Sequence, residues 1–213
     1  MYAHSEQEYL PSVLRAFALS LAFAVLGMAA GIYVPPSLIL PLVFVEPAML
    51  IGVLFLRRRK AISYTFLYTF TFISGITAYP VVEHYLATVG ANAVLMAIGT
   101  TTVVFTGLAV YASVTKRDLS FLGGMLFAAL LALIAIGIFN IFWPLSSTGM
   151  LAYSFIGVLV FSGHVLFDFN RMKHYGVSPE EVPLMALNLY FDFVNLFINI
   201  LNANETKRNA AHF

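Results

Sequence analysis

The chain has 213 residues, of which 61% are hydrophobic and 10% are charged, and its mean hydropathy is +0.89. Soluble domains carry roughly 45–50% apolar and about 25% charged residues, so this composition excludes an ordinary soluble domain. The chain contains no cysteine, which excludes disulfides, thiolate metal sites and thiol nucleophiles. A net charge of +1 gives no indication of a nucleic-acid partner.

The apolar segments, taken in chain order, predict an all-α polytopic membrane protein. Each is long enough to cross a hydrocarbon slab of about 30 Å, which needs roughly 20 helical residues. The predicted spans are 11–34, 37–56, 61–82, 91–114, 119–143, 149–169 and 182–201. Proline-rich, serine-rich or charged loops separate them, so we expect one seven-helix transmembrane domain over 1–213.

Lysine and arginine collect on alternate loops, and this distribution predicts an orientation. With a cytoplasmic N-terminus, the inner side holds the 57–60 cluster, the 116–117 pair, Arg171 and Lys173, whereas the outer loops hold no Lys or Arg. This asymmetry is the positive-inside pattern. An odd number of spans then puts the C-terminal tail, with its charges at 207–208, outside.

Three carboxylates interrupt the apolar spans. Glu46 lies in the second span, Asp168 near the inner end of the sixth and Asp192 in the middle of the seventh. Insertion of a charged carboxylate at the centre of a membrane helix costs roughly 2.5–3.5 kcal/mol, so such groups usually pair, protonate or line a water-filled path. Each of the three could instead be a protonated, hydrogen-bonded packing residue.

The seventh span also carries a stripe of polar side chains. Spacings of 4, 3, 4 and 3 residues place them within roughly 80° of arc on one helix face. The stripe consists of Asn188, Asp192, Asn195, Asn199 and Asn202. Polar residues can simply hold membrane helices together, at about 0.6 kcal/mol each. A stripe with a carboxylate at its middle favours a hydrated pathway, so we expect the seventh helix to be central.

Basic groups and a histidine flank these carboxylates. Arg57 follows Glu46 by three helical turns, about 16 Å along the same face, and is either linked to the buried acid or an ordinary snorkelling residue. His164 lies one turn before Asp168, and Arg171 lies almost one turn after it. Both are possible modulators of Asp168, although such a histidine can equally be a packing residue.

Several segments together resemble the transmembrane Bax inhibitor motif family. The resemblance runs from the first span through the seventh and is closest to the bacterial YetJ-like members. It is carried by residues 56–60 (LRRRK), 69–77 (TFTFISGIT), 118–122 (DLSFL), 137–142 (GIFNIF), 167–170 (FDFN) and 189–197 (LYFDFVNLF). Seven spans with an aspartate on each of the last two form its most specific part.

The resemblance implies a pH-sensitive calcium leak in a bacterial plasma membrane. It implies that Asp168 and Asp192 pair near the cytoplasmic mouth as proton sensor, gate and calcium ligands, and that Arg57 can latch to them. Helix depth alone leaves about 10 Å between the two aspartates, to be absorbed by tilt and helix offset. Family members commonly carry an arginine where this chain has Asn202, so such a partner for Glu46 is missing here.

This reading predicts calcium ions, protons and membrane lipids as the partners, with neither an organic cofactor nor a catalytic step. Two other classes stay open. An aspartyl intramembrane protease also has aspartates on its sixth and seventh spans, but it needs Gly-x-Gly-Asp where residues 189–192 read Leu-Tyr-Phe-Asp. A non-transporting regulatory scaffold is compatible with the sequence, although the buried polar stripe would then be an unexplained cost.

The predicted topology can be tested with single cysteines in this cysteine-free chain. A cysteine at Ser63 lies at the start of the third span, next to the second loop, and a cysteine at Ser146 lies in the fifth loop, so we expect them to react with a membrane-impermeant maleimide from opposite sides. Labelling of both from the same side would contradict the seven-span topology.

Overall fold

The computed structural model describes residues 10–56 and 62–210, which form seven α-helices and no strand. The helices are α1 (Leu10–Gly31), α2 (Pro36–Leu56), α3 (Tyr64–Thr88), α4 (Ala91–Val114), α5 (Leu122–Phe142), α6 (Ser147–Tyr175) and α7 (Val182–Ala210). Their order follows the predicted spans, and the prediction of an all-α polytopic membrane protein is confirmed.

The helix ends differ from the predicted spans because hydropathy marks only the apolar part of a helix. α3, α6 and α7 continue through polar turns that the predicted spans left out. α6 ends before Gly176 and α3 before the turn at Gly90, two glycines in the left-handed region with φ of 72° and 88°. Glycine adopts this conformation without steric penalty, so both positions suit helix termination. α5 begins at Leu122, later than predicted, because residues 119–121 belong to the preceding turn.

Six of the seven helices are long and apolar enough to cross a membrane, judged by length and composition. The exception is α2, in which the described apolar stretch is the shorter segment Pro36–Gly52, with prolines at positions 41 and 47. The count of seven membrane spans therefore stays a prediction. Half of the most apolar window of α7 is buried, compared with 11–28% in the other five candidate spans, which makes α7 the most enclosed of them.

The described helices group into two compact units. The first contains α1, α2, most of α3 and the start of α7 up to Tyr190. In this unit α1 and α3 pack at backbone distance, because a Cβ on Gly27 would collide with the Phe72 carbonyl and a Cβ on Gly75 with the Ala24 carbonyl. Small residues let membrane helices approach at backbone distance, and here the approach is reciprocal.

The second unit contains the end of α3, then α4, α5, α6 up to His174, and α7 from Phe191 onward. At one end of this unit the Arg208 side chain donates a hydrogen bond to the Val89 carbonyl at 2.7 Å. The turn between α3 and α4 and the end of α7 therefore lie together. Four helices separate these two points, as expected if each helix crosses the same slab once.

Candidate functional site

The second unit brings two of the predicted carboxylates together. Asp168 on α6 and Asp192 on α7 are buried, with 6% and 5% of their surface exposed, and their carboxyl groups interact electrostatically. Within the described part of the chain, the Oδ2 atom of Asp192 is buried and has no hydrogen-bond partner. The two side chains are thus close enough for their charges to interact.

Two further predicted residues lie beside this pair. The exposed Arg171 attracts the carboxylate of Asp168 from one turn along α6. His164, one turn in the other direction, interacts with the backbone of Leu126 on α5. Its Nε2 is buried without a hydrogen-bond partner among the described residues. The Asp168 carboxyl group therefore lies on a helix face between a guanidinium group and an imidazole.

Aromatic packing fixes the two helix segments that carry the aspartates. Phe105 of α4 contacts Phe169 and Phe193 edge-on, with ring centroids 5.9 Å and 5.5 Å apart. Each of these partners is the chain neighbour of an aspartate. Edge-to-face pairs add about 0.5–1.5 kcal/mol beyond the burial of their area. Phe105 therefore clamps α6 and α7 in register beside the carboxylates, a role that the sequence analysis did not identify.

Asn170 is a second residue whose role the sequence analysis missed. Its side chain is buried and holds both sides of the loop between α4 and α5. Oδ1 accepts a hydrogen bond from the Leu119 amide at 2.8 Å, and Nδ2 donates to the Arg117 carbonyl at 2.9 Å. The Lys173 ammonium group adds a bond to the Thr115 carbonyl at 2.6 Å. The segment of α6 that carries Asp168 is thus tied to a basic loop.

Asp118 is the carboxylate of the same loop, and local hydrogen bonds stabilise its ionised form. Hydrogen bonds from the side chain and the backbone of Ser120 hold the pKa of Asp118 below its usual range. The group is fully exposed and stays ionised at neutral pH. It is therefore unsuited to sense pH changes near neutrality, unlike a buried carboxylate pair.

In the polar stripe of α7, two asparagine side chains donate hydrogen bonds to the carbonyl one turn back on the same helix. Asn195 Nδ2 donates to the Phe191 carbonyl and Asn199 Nδ2 donates to the Asn195 carbonyl, both at 2.8 Å. Near the helix end, Asn202 Oδ1 accepts a hydrogen bond from the Tyr85 hydroxyl. Asn188 belongs to the first unit and is half-buried. The predicted stripe is present, with Asp192 and Asn199 as its buried members.

In the first unit, Glu46 has a partner that the sequence did not predict. Its Oε1 accepts a hydrogen bond from the Thr77 hydroxyl of α3. The Tyr190 hydroxyl donates to Ser74 Oγ at 3.0 Å and interacts electrostatically with Glu46. This cluster joins α2, α3 and the start of α7, and threonine here pairs with the acid. The signal for it was the polar Ser74-Gly75-Ile76-Thr77 stretch inside an apolar span.

Arg57, the predicted latch, lies outside the described residues, so its role stays a prediction. In the part of the chain that the structure describes, no three His, Asp or Glu side chains gather where they could hold a metal ion. A cation beside Asp168 and Asp192 would accordingly complete its coordination with water or neutral oxygens.

Comparison with known proteins shows which family the chain belongs to. A protein-family model described as "Inhibitor of apoptosis-promoting Bax1" matches residues 6–209. The chain belongs to the Bax inhibitor family. An uncharacterized protein of Campylobacter jejuni is 34% identical over 195 residues, which cover 87% of this chain and 83% of the relative.

Two named relatives extend this Bax inhibitor match beyond bacteria. The Golgi anti-apoptotic protein of Vaccinia virus (strain Lister) is 35% identical over 80% of this chain and 69% of its own length. Bax inhibitor 1 of Schizosaccharomyces pombe is 35% identical over 74% of this chain and 58% of its own length. The predicted family is confirmed, and this chain is a membrane protein of a family that is not known as enzymatic.

The Asn170 clamp leads to a local prediction. Replacement of Asn170 by Ala leaves the half-buried Leu119 amide without its acceptor, and loss of a typical hydrogen bond costs about 0.5–1.5 kcal/mol. We expect hydrogen exchange at the Leu119 amide to accelerate by about two- to tenfold. A matched control is Asn140→Ala, because Asn140 Oδ1 accepts from the Leu145 amide at 2.8 Å in another loop. Unchanged exchange at Leu119 in Asn170→Ala would contradict the clamp.

Proposed function

We propose that this protein is a pH-sensitive calcium leak channel whose gate is the Asp168–Asp192 pair. The observation that carries the proposal is the electrostatic interaction of these two buried carboxylates on α6 and α7. A membrane helix rarely keeps an ionisable group without a functional reason, and two such groups facing each other need a proton or a cation between them. Calcium prefers oxygen ligands, and carboxylates are its usual protein ligands.

The energetics of such a pair predict a response near neutral pH. Two carboxylates about 4 Å apart repel each other by about 4 kcal/mol at an effective dielectric of about 20. A pair of this kind titrates as a unit and keeps its last proton to near-neutral pH. Loss of that proton leaves two negative charges, which attract a cation. The cation is either calcium at the entrance or the guanidinium of Arg57, which would close the mouth.

We further propose that all seven helices cross a bacterial plasma membrane, with the N-terminus cytoplasmic and the C-terminus outside. Support comes from the second unit, where Asn170 and Lys173 bind the 115–118 loop. Basic residues at positions 116, 117, 171 and 173 therefore gather at the end of this unit nearest Asp168. A basic end is expected to face the cytoplasm, which would put the gate at the cytoplasmic mouth.

In this proposal the remaining predicted residues line or tune the pathway. Glu46 and the asparagines of α7 supply oxygen atoms, while His164 and Arg171 modulate the protonation of Asp168. Protons act on the pair from the same water-filled path, and lipids surround the helices. The chain needs no organic cofactor and performs no catalytic step, because the carboxylates bind and release ions without forming a covalent intermediate.

The names of the relatives favour a second candidate, a membrane scaffold that regulates partner proteins without transport. One relative is named a Golgi anti-apoptotic protein and another Bax inhibitor 1. Regulation by protein contact requires no buried ionisable pair. The two candidates are therefore separated by a transport measurement on the purified protein alone.

The test is calcium flux into proteoliposomes that contain only this protein, measured from pH 6 to 8. We expect Asp168→Asn and Asp192→Asn each to flatten the pH dependence, because either change removes the coupled titration. Arg57→Ala should raise basal flux and keep part of the pH response, since it deletes the latch but not the sensor. Asp118→Asn is the matched control, because it neutralises an exposed carboxylate and should keep the wild-type pH curve.

Two results would overturn this proposal. Absence of calcium flux at every pH would favour the scaffold. A double Asp168→Asn, Asp192→Asn variant that still follows the wild-type pH curve would exclude the pair as sensor. His164 would then be the next candidate, because an unperturbed histidine titrates near pH 6.5.

A further inference from the structure

Asn199 presents a free oxygen to the interior of the second unit. Its amide nitrogen is used by the Asn195 carbonyl, one turn back on the same helix. A flipped amide would set two oxygen atoms against each other, so this orientation is fixed by the helix itself. The Oδ1 atom therefore points away from the α7 backbone. It is buried and has no hydrogen-bond partner among the described residues.

Gly157 of α6 receives this side chain. A Cβ atom at Gly157 would collide with Oδ1 of Asn199, so the glycine leaves the space that the amide group fills. The amide thus lies directly against the surface of α6. The contact joins α6 and α7 at a level distinct from that of the aspartates, because Asn199 follows Asp192 by two helical turns, about 10 Å along the axis.

A second free oxygen lies one turn from this contact. Ser154 precedes Gly157 by three residues, so the two positions are neighbours on one face of α6, about 5–6 Å apart at their Cβ positions. The serine is fully buried, and in the described part of the chain its Oγ has no partner. The other buried serine of the described residues, Ser20, bonds its own helix at the Ala16 carbonyl, at 2.8 Å.

Two buried oxygen atoms without partners are costly in an apolar setting. A buried polar group without a hydrogen bond costs about 1–3 kcal/mol on mutational scales. Asn199 Oδ1 lies against the Gly157 position of α6, and Ser154 lies one turn from that position on the same helix face, so the two oxygen atoms are neighbours there. A water molecule, or a cation that keeps most of its water, would interact favourably with both, because each oxygen carries free lone pairs.

We propose that Ser154 and Asn199 form a second, charge-neutral stop for a partly hydrated cation, about two turns from Asp192 along α7 and about four turns from Asp168 along α6. This inference rests on the proposed calcium leak. Two neutral protein oxygens supply only a small part of the six to eight ligands that calcium takes, so the ion would keep most of its water. The stop is therefore weak, and a cation that reaches it can leave again.

With a neutral stop, the charged pair and the stop have different roles along the pathway. The charged pair attracts divalent cations and titrates, whereas the neutral stop shortens the apolar distance that a cation crosses after it leaves the pair. Ser154 and Asn199 should therefore affect how fast ions pass and how strongly they are retained. They should not affect the pH midpoint, because neither side chain titrates in this range.

These different roles can be tested by measuring calcium flux in proteoliposomes as a function of calcium concentration. We expect Ser154→Ala to lower maximal flux roughly three- to tenfold, the worth of one neutral polar contact, with an unchanged pH midpoint. Asn199→Asp adds a charge at the same oxygen, so it should lower the half-saturating calcium concentration on the order of tenfold and slow release. Ser20→Ala removes a buried serine whose hydroxyl is already satisfied, and it should behave as the wild type.

A structural readout covers the case in which no flux is found. In a structure of the wild-type protein soaked with barium, anomalous density between Ser154 and Asn199 is expected, and it should strengthen in Asn199→Asp. Barium there without calcium flux would refute the leak but keep the cation site. If the Ser154→Ala and Asn199→Asp variants both conduct calcium as the wild-type protein does, the inference is overturned. A position that holds only water in both structures would also overturn it.

Discussion

The repulsion between Asp168 and Asp192 is the interaction on which the second unit depends. Both carboxyl groups are buried, and each lies on a helix in which the residues around the aspartate are largely apolar. Such a pair cannot hold two charges without a compensating proton or cation. Because α6 and α7 carry one aspartate each, the proposed gate predicts that occupancy of the pair by a proton or a cation affects the packing of the two helices.

The surroundings of the pair are built to keep it in place. Phe105 packs against the chain neighbours of both aspartates, and Asn170 ties the same stretch of α6 to the loop after α4. Neither residue is ionisable, and neither offers a ligand to calcium in its present contacts. Their contribution is geometric: they hold two groups that repel each other close enough for their titrations to interact. Because this frame is rigid, loss of one proton changes the charge of the site while the two carboxylates stay close together.

Much of this arrangement could be predicted from the sequence, because membrane helices follow from apolar length and an intramembrane carboxylate is conspicuous. The helix order, the two aspartates and the stripe on α7 were all predictable in this way. The proximity of the two aspartates followed from the family resemblance and not from helix depth, which alone left about 10 Å between the side chains. Phe105 and Asn170 were missed because an aromatic or amide residue in an apolar run carries no signal of its partner. The Glu46–Thr77 bond was missed although the polar 74–77 stretch was a signal, because that stretch does not indicate which residue, 31 positions away, it binds.

The most direct test of the central claim is a titration of the aspartate carboxyl groups themselves. Infrared or solid-state NMR spectra of the reconstituted protein with carbon-13 aspartate can follow protonated carboxyl groups across the pH range. If Asp168 and Asp192 share a proton, one carboxyl signal will titrate near neutral pH. That step will move to lower pH in both Asp168→Asn and Asp192→Asn, since each variant removes the neighbouring carboxylate that opposes loss of the proton. If both aspartates titrate independently at ordinary acidic pH, or if the step stays at the same pH in either variant, the pair is not the proton-controlled gate.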